Sequence, residues 1–416
     1  MPPPANPEAN RYLERGSPAF WQANLALFLS GFSTFALLYS VQPLLPILAQ
    51  EFAVSPGESS LSLSLTTGSL AVAMLFASSV SDAWGRKRLM LVALLASALL
   101  NLLLVVVPMW HGILVVRTLV GISLGGLPAV AMAYLNEEID PRASGFAMGL
   151  YIGGNAIGGM SGRLLVGVIA DFTSWRVALS VLGVVALGSA LVFWKYLPPS
   201  RHFVRRPLRL RGFIGSFTSH FRDAGLRWLF VESFLLMGSF VTVYNYIGFR
   251  LSAPPFELRQ STIASIFVVY LVGTGSSAWI GSLAGRLGRR KVLWSMILAM
   301  AAGLAMMVMD SLVLIIVGIA TVTFGFFGGH SIASSWVGNR ARHGRAQAAS
   351  LYLFFYYTGS SIAGSAGGLF WSRMGWPGVT LLVAALLMVA FAIAIRLFFL
   401  PPLPLPENRE PSANPE

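Results

Sequence analysis

Ser78-Ser79-Val80-Ser81-Asp82-Ala83-Trp84-Gly85-Arg86-Lys87-Arg88 returns, in altered form, as Gly281-Ser282-Leu283-Ala284-Gly285-Arg286-Leu287-Gly288-Arg289-Arg290-Lys291. In both stretches a glycine stands between an apolar run and a basic cluster, so a sharp turn permitted by glycine links two apolar segments. The offset is 203 residues. At an offset of 205, Tyr151, Gly154, Ile157, Gly159 and Gly162 fall on Tyr356, Gly359, Ile362, Gly364 and Gly367, and Phe35 and Tyr39 fall on Phe240 and Tyr244. Near-constant offsets of this kind imply a duplicated unit.

Outward from these loops the chain is apolar. Of 416 residues, 56% are hydrophobic and 11% charged, with a mean hydropathy of +0.71, whereas soluble domains carry roughly 25% charged residues. The chain is therefore counted in membrane spans of about 20 residues. Twelve are expected, near 20–48, 61–81, 89–109, 112–135, 145–170, 176–196, 227–249, 262–281, 292–309, 312–336, 348–370 and 377–399. The expected organisation is a tail over 1–19, a six-helix half over 20–196, a basic linker over 197–226, a second half over 227–400 and a tail over 401–416. The first apolar run is too long for a signal peptide and lacks a small-residue cleavage site.

The net charge of +13 and pI near 10.6 gain meaning from where the basic residues fall. Of the 29 Lys and Arg residues, 23 lie in the tails, the central linker and the loops after spans two, four, eight and ten. Arg176, Arg250, Arg259 and Arg373 fall on the other face, and Arg117 and Arg163 fall inside spans. The positive-inside rule then places both termini in the cytoplasm, and the charge reports topology rather than nucleic-acid binding. Cysteine is absent, which excludes disulfides, thiolate metal sites and thiol nucleophiles. The five histidines are too scattered to suggest a metal cluster.

The paired loops resemble the signature loop of the major facilitator superfamily, G-x-L-a-D-r-x-G-r-k. The resemblance covers residues 20 to 400 and recurs between the second and third spans of each half. It departs from the pattern at Ser78, Ala83 and Gly285, so any charge lock is one-sided and built on Asp82. It implies an all-α membrane fold of two pseudo-symmetric six-helix halves that rock about a central site, as parallel-repeat carriers do. It also implies gating roles for Asp82, Gly85, Arg86, Lys87, Gly288, Arg289 and Arg290, in a lock that holds the cytoplasmic side closed and opens when the halves rock inward. Arg117 followed by Gly121 is similar to the R-x-x-x-G pattern of proton-coupled members. Gly154-Asn155-Ala156-Ile157-Gly158-Gly159 is similar to the G-P-x-x-G-G element of the antiporters, with Asn155 where proline is usual. The phrases Tyr39-Ser40-Val41-Gln42-Pro43 and Met237 to Gly248 look similar to the YnfM-type inner-membrane transport proteins, near the bacterial sugar and drug efflux carriers.

Polar residues at membrane depth are few, and an intramembrane ionisable group is a functional candidate because burying it is costly. Arg117 and Arg163 either contact substrate or snorkel to the headgroups. The first span has no acid, and Glu137, Glu138 and Asp140, at the end of span four, are expected to be solvated or paired with Arg142. Glu232 is then the leading proton-coupling candidate, with His330 second. Tyr39, Gln42, Arg117, Asn155, Arg163, Tyr244, Asn245, Tyr246, Tyr270 and Tyr356 are expected around a mostly apolar cavity with a few polar contacts. The alternative for such aromatic residues is helix packing or an interfacial belt.

The expectation is a monomeric bacterial inner-membrane carrier that exports a small organic compound, either a drug-like amphiphile or a sugar-like metabolite, in exchange for protons. Its partners are the bilayer, the substrate and protons. It needs no cofactor, the proton gradient being the energy source. Uptake of a metabolite is the alternative within transport. A membrane enzyme is disfavoured because the chain has no H-E-x-x-H and no G-x-S-x-G, and a primary pump because it has no G-x-x-x-x-G-K-[ST]. A channel would not need the duplicated loop.

Overall fold

The computed structural model describes residues 12–203, 205 and 218–400. Residues 1–11, including Arg11, the C-terminal tail over 401–416, including Arg409, and residues 204 and 206–217 of the basic linker lie outside the described residues. Twelve long helical elements run through the rest: α1 (Pro18–Tyr39), α2 (Pro56–Trp84), α3 (Arg86–Leu104), α4 (Trp110–Glu138), α5 (Ser144–Phe172), α6 (Trp175–Tyr196), α7 (Ala224–Ser252), α8 (Gln260–Leu287), α9 (Arg289–Met306), α10 (Leu312–Arg340), α11 (Arg345–Met374) and α12 (Trp376–Phe398). Ten are long and apolar enough to cross a membrane. The other two, α9 and α11, are diluted by Arg289-Arg290-Lys291 and by a Gly/Ser-rich sequence. The fold is the all-α two-half arrangement expected from the repeat.

Local sequence explains the ends. Ser17 caps α1 by accepting from Phe20 N at 3.2 Å, with Pro18 in the first turn, and Ser55 and Glu58 form a reciprocal capping box on α2. Gly85 and Gly288 adopt φ of +98° and +94°, each ending one helix and starting the next. Side-chain-bearing residues disfavour that region, so the same backbone turn in both halves accounts for glycine at each position.

Three expectations are corrected in detail. The first span is not one helix over 20–48: α1 stops at Tyr39, a turn carries Pro43, and a short helix Leu45–Glu51 follows. Span four is broken where Gly125-Gly126-Leu127 precede Pro128, which has no N–H to continue the ladder. The described part of the N-terminal tail is packed, with Leu13 buried and bridged to Ile139.

Close helix approach carries the packing. A methyl added at Gly154 or Gly158 of α5 would stand 2.4 or 2.1 Å from the carbonyl oxygen of Phe28 or Phe32 of α1. One at Gly359 of α11 would stand 2.2 Å from Phe234 O of α7. The small-residue motif of span five is thus a backbone-to-backbone contact, repeated in the second half.

The halves meet at the face opposite the basic linker. There Gly57 and Gly368 touch, and a methyl on Gly368 would lie 2.1 Å from Gly57 Cα. Tyr246 Oη of the second half, which donates to Gly364 O of its own half at 2.9 Å, lies 3.2 Å from Ser60 Oγ of the first, and Ser261 Oγ donates to Asp171 Oδ2 across the halves at 2.6 Å. Toward the linker face, the hydrogen bonds and ion pairs recorded among the described residues stay within one half, and Gly145, Gly149 and Gly153 of α5 border open space. The molecule is closed at the far face and open at the linker face.

Candidate functional site

The open space leads to a cavity of about 240 Å³ between the halves. Ile152 lines it and is 55% exposed, which marks the opening. Of the expected cavity residues, Tyr39, Asn155, Arg163, Tyr270 and Tyr356 line it, as does His330. Tyr357, beside Tyr356, also lines it, and residues that sequence reasoning did not assign add to the wall: Phe35, Met237, Phe240, Phe326 and Phe327. A phenylalanine in a span gives no sequence signal for facing a cavity rather than a neighbouring helix. Phe240 and Phe326 stack with centroids 3.9 Å apart, and Tyr270 meets Phe240 edge-on at 5.8 Å, so this wall is a packed aromatic cluster.

At the closed end stands Arg163, 2% exposed. Its guanidinium carbon lies 4.0 Å from the Tyr39 ring centroid, 4.7 Å from that of Tyr270 and 5.3 Å from that of Phe267. Tyr270 and Phe267 belong to the other half, so these cation–π contacts cross the interface. The Arg163 Nε donates to Gln42 Oε1 at 2.6 Å and Nη1 to Gly159 O at 2.6 Å. Gln42 Nε2 in turn donates to Asn245 Oδ1 at 2.7 Å. A chain Arg163–Gln42–Asn245 therefore crosses between the halves just beyond the cavity.

Five expected cavity residues sit elsewhere, Gln42 among them, in the chain just described. Arg117, fully buried, donates through Nε to Ser62 O at 3.0 Å, Nη1 to Leu37 O at 3.1 Å and Nη2 to Leu38 O at 2.7 Å. Leu37 and Leu38 are in the last turn of α1, whose carbonyls have no partner within the helix. Arg117 thus caps α1 and ties it to α2 and α4, and it neither snorkels nor reaches the cavity. Tyr246 faces the α2/α11 contact, Asn245 faces Gln42, and Tyr244 bonds Thr323 Oγ1 at 2.8 Å.

Glu232 on α7 is fully buried, and neither carboxyl oxygen has a hydrogen-bond partner among the described residues. The next residue, Ser233, donates to Tyr352 O at 3.0 Å, and Tyr352 Oη bonds His330 Nδ1 at 2.9 Å. Of the two titratable candidates, His330 is on the cavity wall and bonded to Tyr352, whereas Glu232 is buried off that wall with no recorded bond to either.

On the linker face, Arg86 pairs with Asp82 at 2.6 Å and with Glu137 at 2.8 Å, and donates to Ser81 Oγ at 2.9 Å. Lys87 Nζ donates to Leu197 O at 2.5 Å. All of these contacts lie within the first half, binding the ends of α2, α3, α4 and α6. In this conformation, with the linker face open, these ion pairs are intact. Glu137 pairs with Arg86 rather than Arg142, and Glu138, 2% exposed, accepts from His202. In the second half Arg289 reaches only Ser335 Oγ at 3.2 Å, and no bond of Arg290 is recorded among the described residues. The ion pair there joins Arg340 to Asp223 at 2.5 Å, and the same carboxylate caps α7. Sequence reasoning missed it, although Arg340 stands 203 residues after Glu137.

The Major Facilitator Superfamily family model matches residues 27–364 and 256–415. The inner membrane transport protein YnfM of Escherichia coli (strain K12) is 50% identical, the match covering 94% of each chain. The MFS-type transporter YybF of Bacillus subtilis (strain 168) is 48% identical over 91% of this chain and 94% of its own. In fold, the nucleoside transporter NupG superposes with a TM-score of 0.75 at 16% identity, covering 90% of this chain and 100% of that one. A bacterial homologue of the human lysosomal transporter Spinster, inward-facing and unoccupied, gives 0.74 at 15% identity, covering 92% and 97%.

Proposed function

The chain belongs to the major facilitator superfamily, a multi-pass secondary transporter of a small molecule, and from that premise we propose that it exports a small organic compound in exchange for protons across a bacterial inner membrane. The distribution of Lys and Arg supports cytoplasmic termini. On that topology the linker face is the cytoplasmic one, and the described conformation is open to the cytoplasm, where an exporter loads. Cargo binding in the central cavity and rocking about the far-face contacts would then present it outside.

The observation that carries proton coupling is Glu232: a fully buried carboxyl without a hydrogen-bond partner among the described residues, on the helix that also lends Met237 and Phe240 to the cavity wall. An unpaired carboxylate buried there is costly, whereas the neutral acid is tolerated. A conformation that wets this carboxyl would hold its proton differently, and that difference between states is what coupling requires. The test is substrate-driven proton flux in proteoliposomes. Glu232→Gln is expected to keep substrate counterflow and to lose proton movement. A mutant moving protons at the wild-type ratio would remove Glu232 from this role and turn the same assay to His330→Gln.

A further inference from the structure

Arg163 is the only Lys, Arg, Asp or Glu side chain on the cavity wall among the described residues. None of the recorded ion pairs involves it. The three rings and the Gln42 amide hold the cation without neutralising it, and Nη2 makes no recorded hydrogen bond. A buried charge calls for a counter-charge. A neutral cargo would leave this one uncompensated and a cationic cargo would be repelled, whereas an anion completes the site.

The guanidinium fork also matches a particular anion. Its Nε and Nη2 present two parallel N–H groups, the geometry that receives a carboxylate through both oxygens. The wall below is aromatic, formed by Phe35, Phe240, Phe326, Phe327 and Tyr356, with Phe240 and Phe326 stacked near-parallel and Phe327 edge-on to both, which suits an aromatic body met by ring faces and edges. The cavity, about 240 Å³, is smaller than the roughly 300–1,000 Å³ of sites for drug-sized ligands, so a body of one or two rings fits. A carboxylate on the Nε/Nη2 edge would take the place of Gln42 Oε1, and Gln42 is the residue bonded across the interface to Asn245.

We propose that the cargo is a planar aromatic monocarboxylate that pairs with Arg163 and, in doing so, displaces Gln42 and loosens the Gln42–Asn245 link between the halves. This rests on the transport reading above and specifies its cargo.

The experiment is thermal unfolding of the purified full-length protein in detergent with benzoate, salicylate, cinnamate and indoleacetate, each beside its primary amide, since a ligand of the native state raises its apparent stability. At least one carboxylate is expected to raise the wild-type Tm while its amide does not. Arg163→Gln should lose that response, and Arg163→Lys, which keeps the charge but not the fork, should bind about tenfold more weakly. The proposal is overturned if no carboxylate shifts the wild type, if amides match their acids, or if Arg163→Gln binds like wild type. Should Arg163→Gln fail to fold, the acid–amide comparison and the Lys variant decide. Counterflow in proteoliposomes separates the two readings. A carboxylate that binds but is not exchanged defeats transport of that compound and leaves the Arg163 site standing. A neutral compound that is exchanged while no carboxylate binds defeats the cargo assignment and leaves transport standing.

Discussion

Arg117 and Arg163 are both buried in the first half without a carboxylate, yet they do opposite things. Arg117 delivers three donors to three backbone carbonyls. Arg163 is held by ring faces, one backbone carbonyl and one amide side chain, at the edge of a cavity. Backbone acceptors can leave only if the helices separate, so the first arginine is a fixture. Side-chain partners can swing away, so the second can exchange them for a ligand. Arg86 is a third case, neutralised by Asp82 and Glu137 at the water-facing end of the helices. The nature of the partner, more than burial itself, separates a structural arginine from a binding one.

This comparison can be broken by measurement. Arg117→Leu should have the largest effect on stability. It strands the carbonyls of Leu37, Leu38 and Ser62, and unmet buried acceptors cost about 1–3 kcal/mol each, so a loss on the order of 3 kcal/mol is expected. Thermal unfolding within about 1 kcal/mol of wild type would show that those carbonyls find other donors. Glu137→Gln should cost less, about 1 kcal/mol or under, because the pair is part-exposed and Asp82 stays on Arg86. A larger loss would mark the cluster as more than a tie between helix ends. Gln42→Glu should change stability least, since it places a carboxylate beside Arg163 while ending the bond to Asn245 Oδ1. Its sharper effect is on ligand response: an internal counter-charge should abolish the Tm rise produced by aromatic carboxylates. If that rise persisted in Gln42→Glu, the Nε edge of Arg163 would not be where the anion sits.

The sequence made the spans and the duplication legible because both are written in local pattern: apolar length, and glycine before a basic run. The twelve elements follow the hydropathy pattern, with most ends shifted by a few residues and the first helix stopping at Tyr39, nine residues short of the expected span. The roles of the two arginines were not legible. The acceptors of Arg117 lie 55 to 80 residues away in the chain, and nothing in R-x-x-x-G tells whether the guanidinium faces carbonyls or a cavity. Tyr244, Asn245 and Tyr246 are consecutive on one helix, so their side chains point about 100° apart and cannot all face one cavity. Helical geometry alone would have divided them. The spacing of Gln42 and Asn245 was also available from the repeat, and no attention to single residues would have paired them.

That pair has a further consequence. Gln42 and Asn245 are 203 residues apart, two short of the interval that sets Tyr39 on Tyr244, so they lie within two residues of corresponding positions in the two copies and touch where the copies meet. Were the halves two identical chains related by a twofold axis, a side chain at such a position would meet its own twin. A carboxylate or a guanidinium would repel itself there, and an aliphatic group would offer no direction. A primary amide carries donor and acceptor together and can bond to another of its kind. The contact therefore suits an assembly of equal partners as well as one of unequal partners, and one copy could become glutamine, reach Arg163 and take on a task its counterpart lacks without undoing the join.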